Sequence, residues 1–259
     1  MHTQELVVTH ALGIRTRSAK GQVTDSFEPA KNFRDKVKTW LSFIMDRKAK
    51  GRFREYSMYC AENNGTKGLV LELPNETRVA GTYQMFLSSL RSKKAITQFG
   101  TDSSHAQRMS SMMLSRTEWN VLSEVEAILK ECHDLAMESQ VDRVGASCFS
   151  YYAVRECKET LKSADEFDVI DLKESYPPST TRKELKKTQI ERDRLSETAT
   201  ELLKRLDKEY EHYFGSPDED QLIAMFFHPY FVWSGYEYVF THFLVIDEMK
   251  NTHYYSFLF

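Results

Sequence analysis

Apolar residues recur along this chain at helical spacing, and little in the sequence interrupts them. After an early Pro29, Phe33, Val37, Trp40, Leu41 and Ile44 fall three and four residues apart, and Val79, Tyr83, Phe86, Leu87 and Leu90 repeat the pattern. Such a stripe lies on one face of a helix with 3.6 residues per turn and does not suit a strand, whose side chains alternate with period two. The residues that punctuate turns are scarce, with 10 Gly and 6 Pro in 259 positions. Sparse punctuation and helical periodicity together predict an all-α, elongated domain of about seven helices with little or no sheet. A hydrophobic content of 41% is enough for one large core or two small ones.

Helices are expected over 3–14, 27–48, 77–98, from 116 past Ala136, over 146–162, over 182–213 and over 219–227. "AENNGTKG" reads as a turn and "LVLELP" (69–74) as a short strand or an extended connector. Two starts carry capping-box signatures, Ser115 with Glu118 and Thr181 with Glu184, in which a hydroxyl accepts from an orphan amide while the carboxylate reaches back. Between the fifth and sixth helices runs "SADEFDVIDLKESYPPSTT", an acidic connector whose Pro177 and Pro178 exclude a continuing helix. Gly215 is placed at the left-handed position that closes one helix, with Ser216, Pro217 and Glu219 opening the next.

The net charge of −3 is not the footprint of a protein that wraps nucleic acid, although it permits a local basic face. Cys60, Cys132, Cys148 and Cys157 form no CxxC pair, and "MHTQELVVTHALGI" has neither the basic start nor the apolar core of a secretory signal. These features predict reduced thiols in an intracellular protein. No apolar run approaches the ~18 residues of a transmembrane helix, so no membrane partner is expected.

Candidate chemistry is thin. No zinc, nucleotide or hydrolase motif occurs, and no cofactor is expected. Cys132 and His133 diverge by ~100° on a helix, which suits a core cysteine beside a surface histidine better than a shared metal. Asp165, Glu166, Asp168 and Asp171 could hold a magnesium ion but read as a solvated loop. "FLVIDEM" (243–249) has the look of a strand delivering a metal-binding acid, yet Asp247 lies close to the end of the chain and is read as core or tail. "RKELKKTQIERDR" (182–194) interleaves its cations with acids, as in Glu184–Lys187 and Glu191–Arg194, and reads as a salt-bridged solvent face. Arg91, Lys93 and Lys94 cluster at the expected end of a helix. There they serve either the helix dipole or a DNA contact.

"TRVAGTYQMFLSSLRSKKAI" resembles the Thr-Arg-Trp-Asn-Ser-Thr-Tyr motif of hAT-family transposases, with Thr77, Arg78, Thr82 and Tyr83 matching and Val79 in place of the tryptophan. Three further segments fall in the family's order. "HTQELVVTHAL" is similar to the helix that begins with the histidine of a Cys-x-x-His motif, here His2. "SRTEWNVLSEVEAILKECHDLAMESQ" is similar to an acidic-Trp-x-x-Leu helix. "DQLIAMFFHPYF" resembles a Leu-Asp-Pro-Arg-Phe segment through Pro229 and Phe231, with His228 and Tyr230 in place of the acid and the arginine.

The resemblance implies that residues 1–231 correspond to the helical insertion of an RNase H-like transposase, followed by an aromatic-rich tail over 232–259. It implies an Asp-Asp-Glu metal triad whose members lie outside the matched segments, and hence no transposase activity. It also implies that Arg78 lies near transposon-end DNA, where the missing tryptophan would have stacked on an unpaired base for ~1–3 kcal/mol. Arg78 capping a surface helix near Glu76 is the other reading, and Thr82 and Tyr83 read as structural. The function expected is a catalytically inactive, transposase-derived fragment that binds DNA weakly through Arg78, Arg91, Lys93 and Lys94, in the nucleus rather than the cytoplasm. The alternative is a helical protein–protein interaction domain that engages a protein partner through "YFVWSGYEYVFTHFLV".

Overall fold

The computed structural model describes residues 2–14, 18–19, 22–23, 27–46, 50–64, 71, 79–141, 146–174, 176–177 and 180–215. These residues form nine α-helices and two antiparallel two-stranded sheets, a mostly helical architecture as the periodicity predicts. The order is α1 (His2–Ala11), β1 (Ser18–Ala19), β2 (Gln22–Val23), α2 (Glu28–Ile44), α3 (Lys50–Asn64), α4 (Val79–Arg91), α5 (Lys93–Asp102), α6 (Ala106–Met109), α7 (Arg116–Val141), α8 (Ala146–Ser163), β3 (Glu166–Ile170), β4 (Lys187–Glu191) and α9 (Glu197–Phe214). No helix among the described residues is long and apolar enough to cross a membrane.

α7 is the axis of the fold. Every residue from Leu122 to Leu129 is buried, because α4, α8, α9, α1 and β3 pack around it. Its N-terminus closes with the capping box expected of Ser115 and Glu118: Glu118 N donates to Ser115 Oγ (3.2 Å), and Ser115 N donates to Glu118 Oε2 (2.8 Å). Two acids inside the buried stretch anchor segments far downstream. Glu124 accepts from Ser196 N (2.9 Å), and Ser196 in turn caps α9 by accepting from Ala199 N (3.2 Å). Glu126 accepts two bonds from Arg182. α2 buries the face expected of it, with Val37, Trp40, Leu41 and Ile44 closed to solvent. Truncation of a tryptophan so placed costs about 3–5 kcal/mol.

α1 ends at Gly13, which adopts φ +67°. Gly13 N donates to the His10 carbonyl (2.9 Å) and Ile14 N to the Thr9 carbonyl (2.8 Å), the paired bonds of a Schellman motif. Gly215, by contrast, is right-handed (φ −63°, ψ −28°) and does not make the left-handed closure expected of it.

Three further expectations are corrected. The stretch 77–98 is two helices, parted at Ser92. α3 runs over Lys50–Asn64, where no helix was expected and where a turn was expected from Ala61 onward; its weak apolar stripe hides it. The stretch 182–213 is a helix only from Glu197; before it lie a 3₁₀ turn over Arg182–Glu184, strand β4 and a second 3₁₀ turn over Arg192–Arg194. β4 pairs with β3, within the acidic segment expected to be a loop, in the register Phe167↔Ile190 and Val169↔Thr188. The hairpin forms because Phe167 and Ile170 have a core to enter: both are buried against α7, where Ser123 Oγ donates to the Ile170 carbonyl (3.1 Å). β-branched Thr188 and Ile190 suit the pairing strand. Arg192 then turns back on α8, its Nη1 donating to the carbonyls of Leu161 (2.9 Å), Lys162 (3.0 Å) and Ala164 (3.0 Å). Residues 216–231 and the tail 232–259 lie outside the described residues.

Candidate nucleic-acid interface

The basic group expected at a helix C-terminus sits instead where one helix ends and another begins. Ser92 leaves helical geometry (φ −98°, ψ 6°), so Arg91 closes α4 while Lys93 and Lys94 open α5. The Ser92 hydroxyl donates backward to the Ser88 carbonyl (2.8 Å) and caps no amide of α5. Lys93 and Lys94 therefore stand at the positive pole of α5, where the helix dipole disfavours them. The dipole reading of the two lysines does not survive this geometry. It holds for Arg91, in the last turn of α4.

Lys93 is half-buried. Its Nζ donates to the Leu172 carbonyl (3.4 Å) and lies 5.9 Å from the centroid of the Trp119 ring. Its ammonium is held below the ordinary lysine range, first by burial and then by the charge of Arg116, with Asp171 acting in the opposite sense. Arg116 is exposed and is the first residue of α7. Lys94 is exposed, and Arg91 is half-buried with its Nε out of reach of solvent. Nearby, Glu118 is committed to its own cap and to Lys36 Nζ (2.5 Å). The starts of α5 and α7 thus bring Lys93 and Arg116 together, with Lys93 beside the Trp119 ring and Lys94 exposed at the next position.

Arg78 and Thr77 lie outside the described residues. Thr82 and Tyr83 are buried, as their structural reading requires. Tyr83 stacks on His133 (centroids 4.2 Å apart, planes at 28°), and its phenol is pushed up first by burial and next by Glu126. His133 is consequently a core residue, not the surface histidine expected, and Gln84 Nε2 lies 3.3 Å from its Nε2. The run 182–194 is not α-helical, yet most of it is exposed, as the solvent-face reading expects. Arg182 is drawn inward to Glu126, although Arg194 does pair with Glu191 (3.1 Å).

Two further cationic places escaped the sequence reading. Phe43 lies between two guanidinium groups, Arg52 at 4.1 Å and Arg108 at 4.9 Å from the ring centroid, with the His105 ring edge-on at 5.9 Å. A groove between α8 and α9 has an apolar floor of Leu161, Leu203 and Tyr210, and a rim that includes Lys158, Lys162 and Lys204. Lys158 is paired with Glu211 and Asp207. These sets join residues distant in sequence, so no local motif signals them. Arg116 was not singled out either, and its place beside the Ser115 cap is the signal that could have found it. Among the described residues no three or more histidine, cysteine or acidic side chains gather as a metal site. Comparison with protein-family models, with curated proteins and with solved structures finds no match to this chain.

Proposed function

We propose that this chain is a helical nucleic-acid-binding domain related to the helical insertion of hAT-family transposases, acting in the nucleus without transposase activity of its own. The observation that supports this best is the approach of Arg116 to Lys93, with exposed Lys94 next to it in sequence. The charge of Arg116 disfavours the Lys93 ammonium, and a polyanion offsets such repulsion by neutralising the cations. Backbone phosphates supply such a charge lattice, and their condensed counterions are released on contact. On this reading exposed Lys94 and Arg116 touch phosphate, while Lys93 and Arg91 contribute field from behind. The part given to Arg78 rests on its place in the motif.

Fluorescence anisotropy with a short labelled duplex tests the proposal. Affinity should fall with added salt, and Lys94→Ala with Arg116→Ala should reduce the slope of log K against log salt by about 2, roughly one unit for each lost phosphate contact. A flat anisotropy curve at low salt would reject it in favour of the protein-interaction reading motivated by the aromatic segment 230–245. That reading in turn requires light scattering to show self-association or a partnered complex.

A further inference from the structure

Cys132 on α7 and Cys157 on α8 meet at a single atom of α9. The Tyr210 hydroxyl donates to Cys132 Sγ (3.3 Å) and lies 3.5 Å from Cys157 Sγ. All three residues are buried. The two sulfurs are also close enough to act on one another's protons, which raises the Cys132 thiol and lowers that of Cys157. Cys60 is differently placed: it neighbours Tyr56 on α3, and burial pushes its thiol up to about 11. Three helices that need no covalent tie to pack have therefore brought two thiols to one phenol.

We propose that Cys132 and Cys157 form a reversible dithiol–disulfide site, with hydrogen peroxide as the oxidant, that fastens α7 to α8 beneath α9. The Cys157 thiolate attacks one peroxide oxygen. The O–O bond breaks, and the departing hydroxide takes up the proton the thiol gave, leaving water and a sulfenic acid on Cys157. The Cys132 thiolate then attacks the Cys157 sulfur. The S–S bond forms, the S–O bond breaks, and hydroxide leaves with the Cys132 proton as a second water. Two electrons pass from the thiol pair to peroxide, and a small thiol reductant reverses the change.

Cys157 acts first because it is the more exposed of the pair, 6% against 2%, and because the hydrogen bond it shares with Cys132 favours its thiolate, the nucleophilic form. The α8–α9 groove of about 210 Å³ is lined by Tyr210, the residue whose hydroxyl contacts both sulfurs, although neither cysteine lines it. A peroxide molecule, little larger than a water of ~30 Å³, fits that space easily.

The test treats the folded full-length chain with graded hydrogen peroxide in native buffer, blocks the remaining thiols after denaturation, and maps peptides without reduction. The expected result is a Cys132–Cys157 linked peptide and an intact mass lower by two hydrogens, at peroxide levels that leave Cys60 free. Reductant should remove the link, and Cys60→Ser should leave it unchanged. Thiols untouched in the folded chain, higher oxides without the link, or a link through Cys60 or Cys148 would each overturn the proposal. So would a link that appears only in denaturant. The decisive readouts use the unsubstituted protein, so no variant's failure to fold can obscure them.

Discussion

Arg182 reaches from a 3₁₀ turn to Glu126 in the middle of α7, its Nε 2.8 Å from Oε1 and an Nη2 bond of 3.2 Å to Oε2, while Nη2 also donates to the Asp168 carbonyl (2.8 Å). The Glu126 side chain is fully closed to solvent and that of Arg182 is 10% exposed. One planar group thus joins α7, β3 and the turn before β4. Removing one partner leaves the other charge buried and unpaired, so Arg182→Ala should destabilise the fold by about 3–5 kcal/mol, read from urea denaturation. The double change Arg182→Met with Glu126→Leu should recover most of that loss.

Gly13→Ala should cost more than the ~1–2 kcal/mol of placing an L-residue in the left-handed region. A Cβ there would lie 2.6 Å from the backbone nitrogen of Phe27, which cannot turn aside as a side-chain end could. Chemical denaturation checks this, and Gly51→Ala, a change into open space within α3, serves as the comparison. Gly51→Ala should be neutral or stabilising by up to about 1 kcal/mol.

Asp134 is held down to about 2, chiefly by its hydrogen bond with His133, against the opposing effect of burial, and with further help from Lys130. A carboxyl depressed in the folded state adds stability above its unfolded value of 3.8, and that stability fades as pH falls from about 4 toward 2. The side chain is 48% exposed, so solvent screening limits the gain to roughly 0.2–1 kcal/mol. Thermal melts from pH 6 down to about 2 should show Asp134→Asn less stable than the parent at the upper end, with the two curves converging at the acid end.

Arg116→Ala should raise the titration midpoint of Lys93, because it removes a cation that opposes protonation. Burial of Lys93 persists, so the midpoint should stay below the ordinary lysine range. Carbon-detected NMR titration of the Lys93 side chain reads it. An unmoved Lys93 would mean that the two charges do not share a site.

The helices whose apolar residues form one broad stripe were legible: α1, α2, α7 and α8 lie near their expected bounds, and Ser115 with Glu118 predicts the start of α7. α3 was not, because Tyr56 and Cys60 are the side chains it buries while Phe53 and Met58 are exposed, so its apolar residues form no single stripe. The β3–β4 hairpin failed for a different reason. Its strands are too short and charged to declare themselves, and tertiary burial of Phe167 and Ile170 overrides local preference. The candidate interface was half legible. Lys93 and Lys94 stood out as a run, but the polarity of their helix depended on a break at Ser92 that a serine does not advertise. Arg116 became the neighbour of Lys93 only through packing.

The three carbonyls gathered by Arg192 set an order of assembly. α8 ends at Ser163, yet the group that satisfies its last turn arrives about thirty positions later, once β4 has found β3. During synthesis the final turn of α8 must wait, frayed, for that downstream guanidinium. A chain cut between α8 and residue 192 would lose that lock together with α9, which packs against α8.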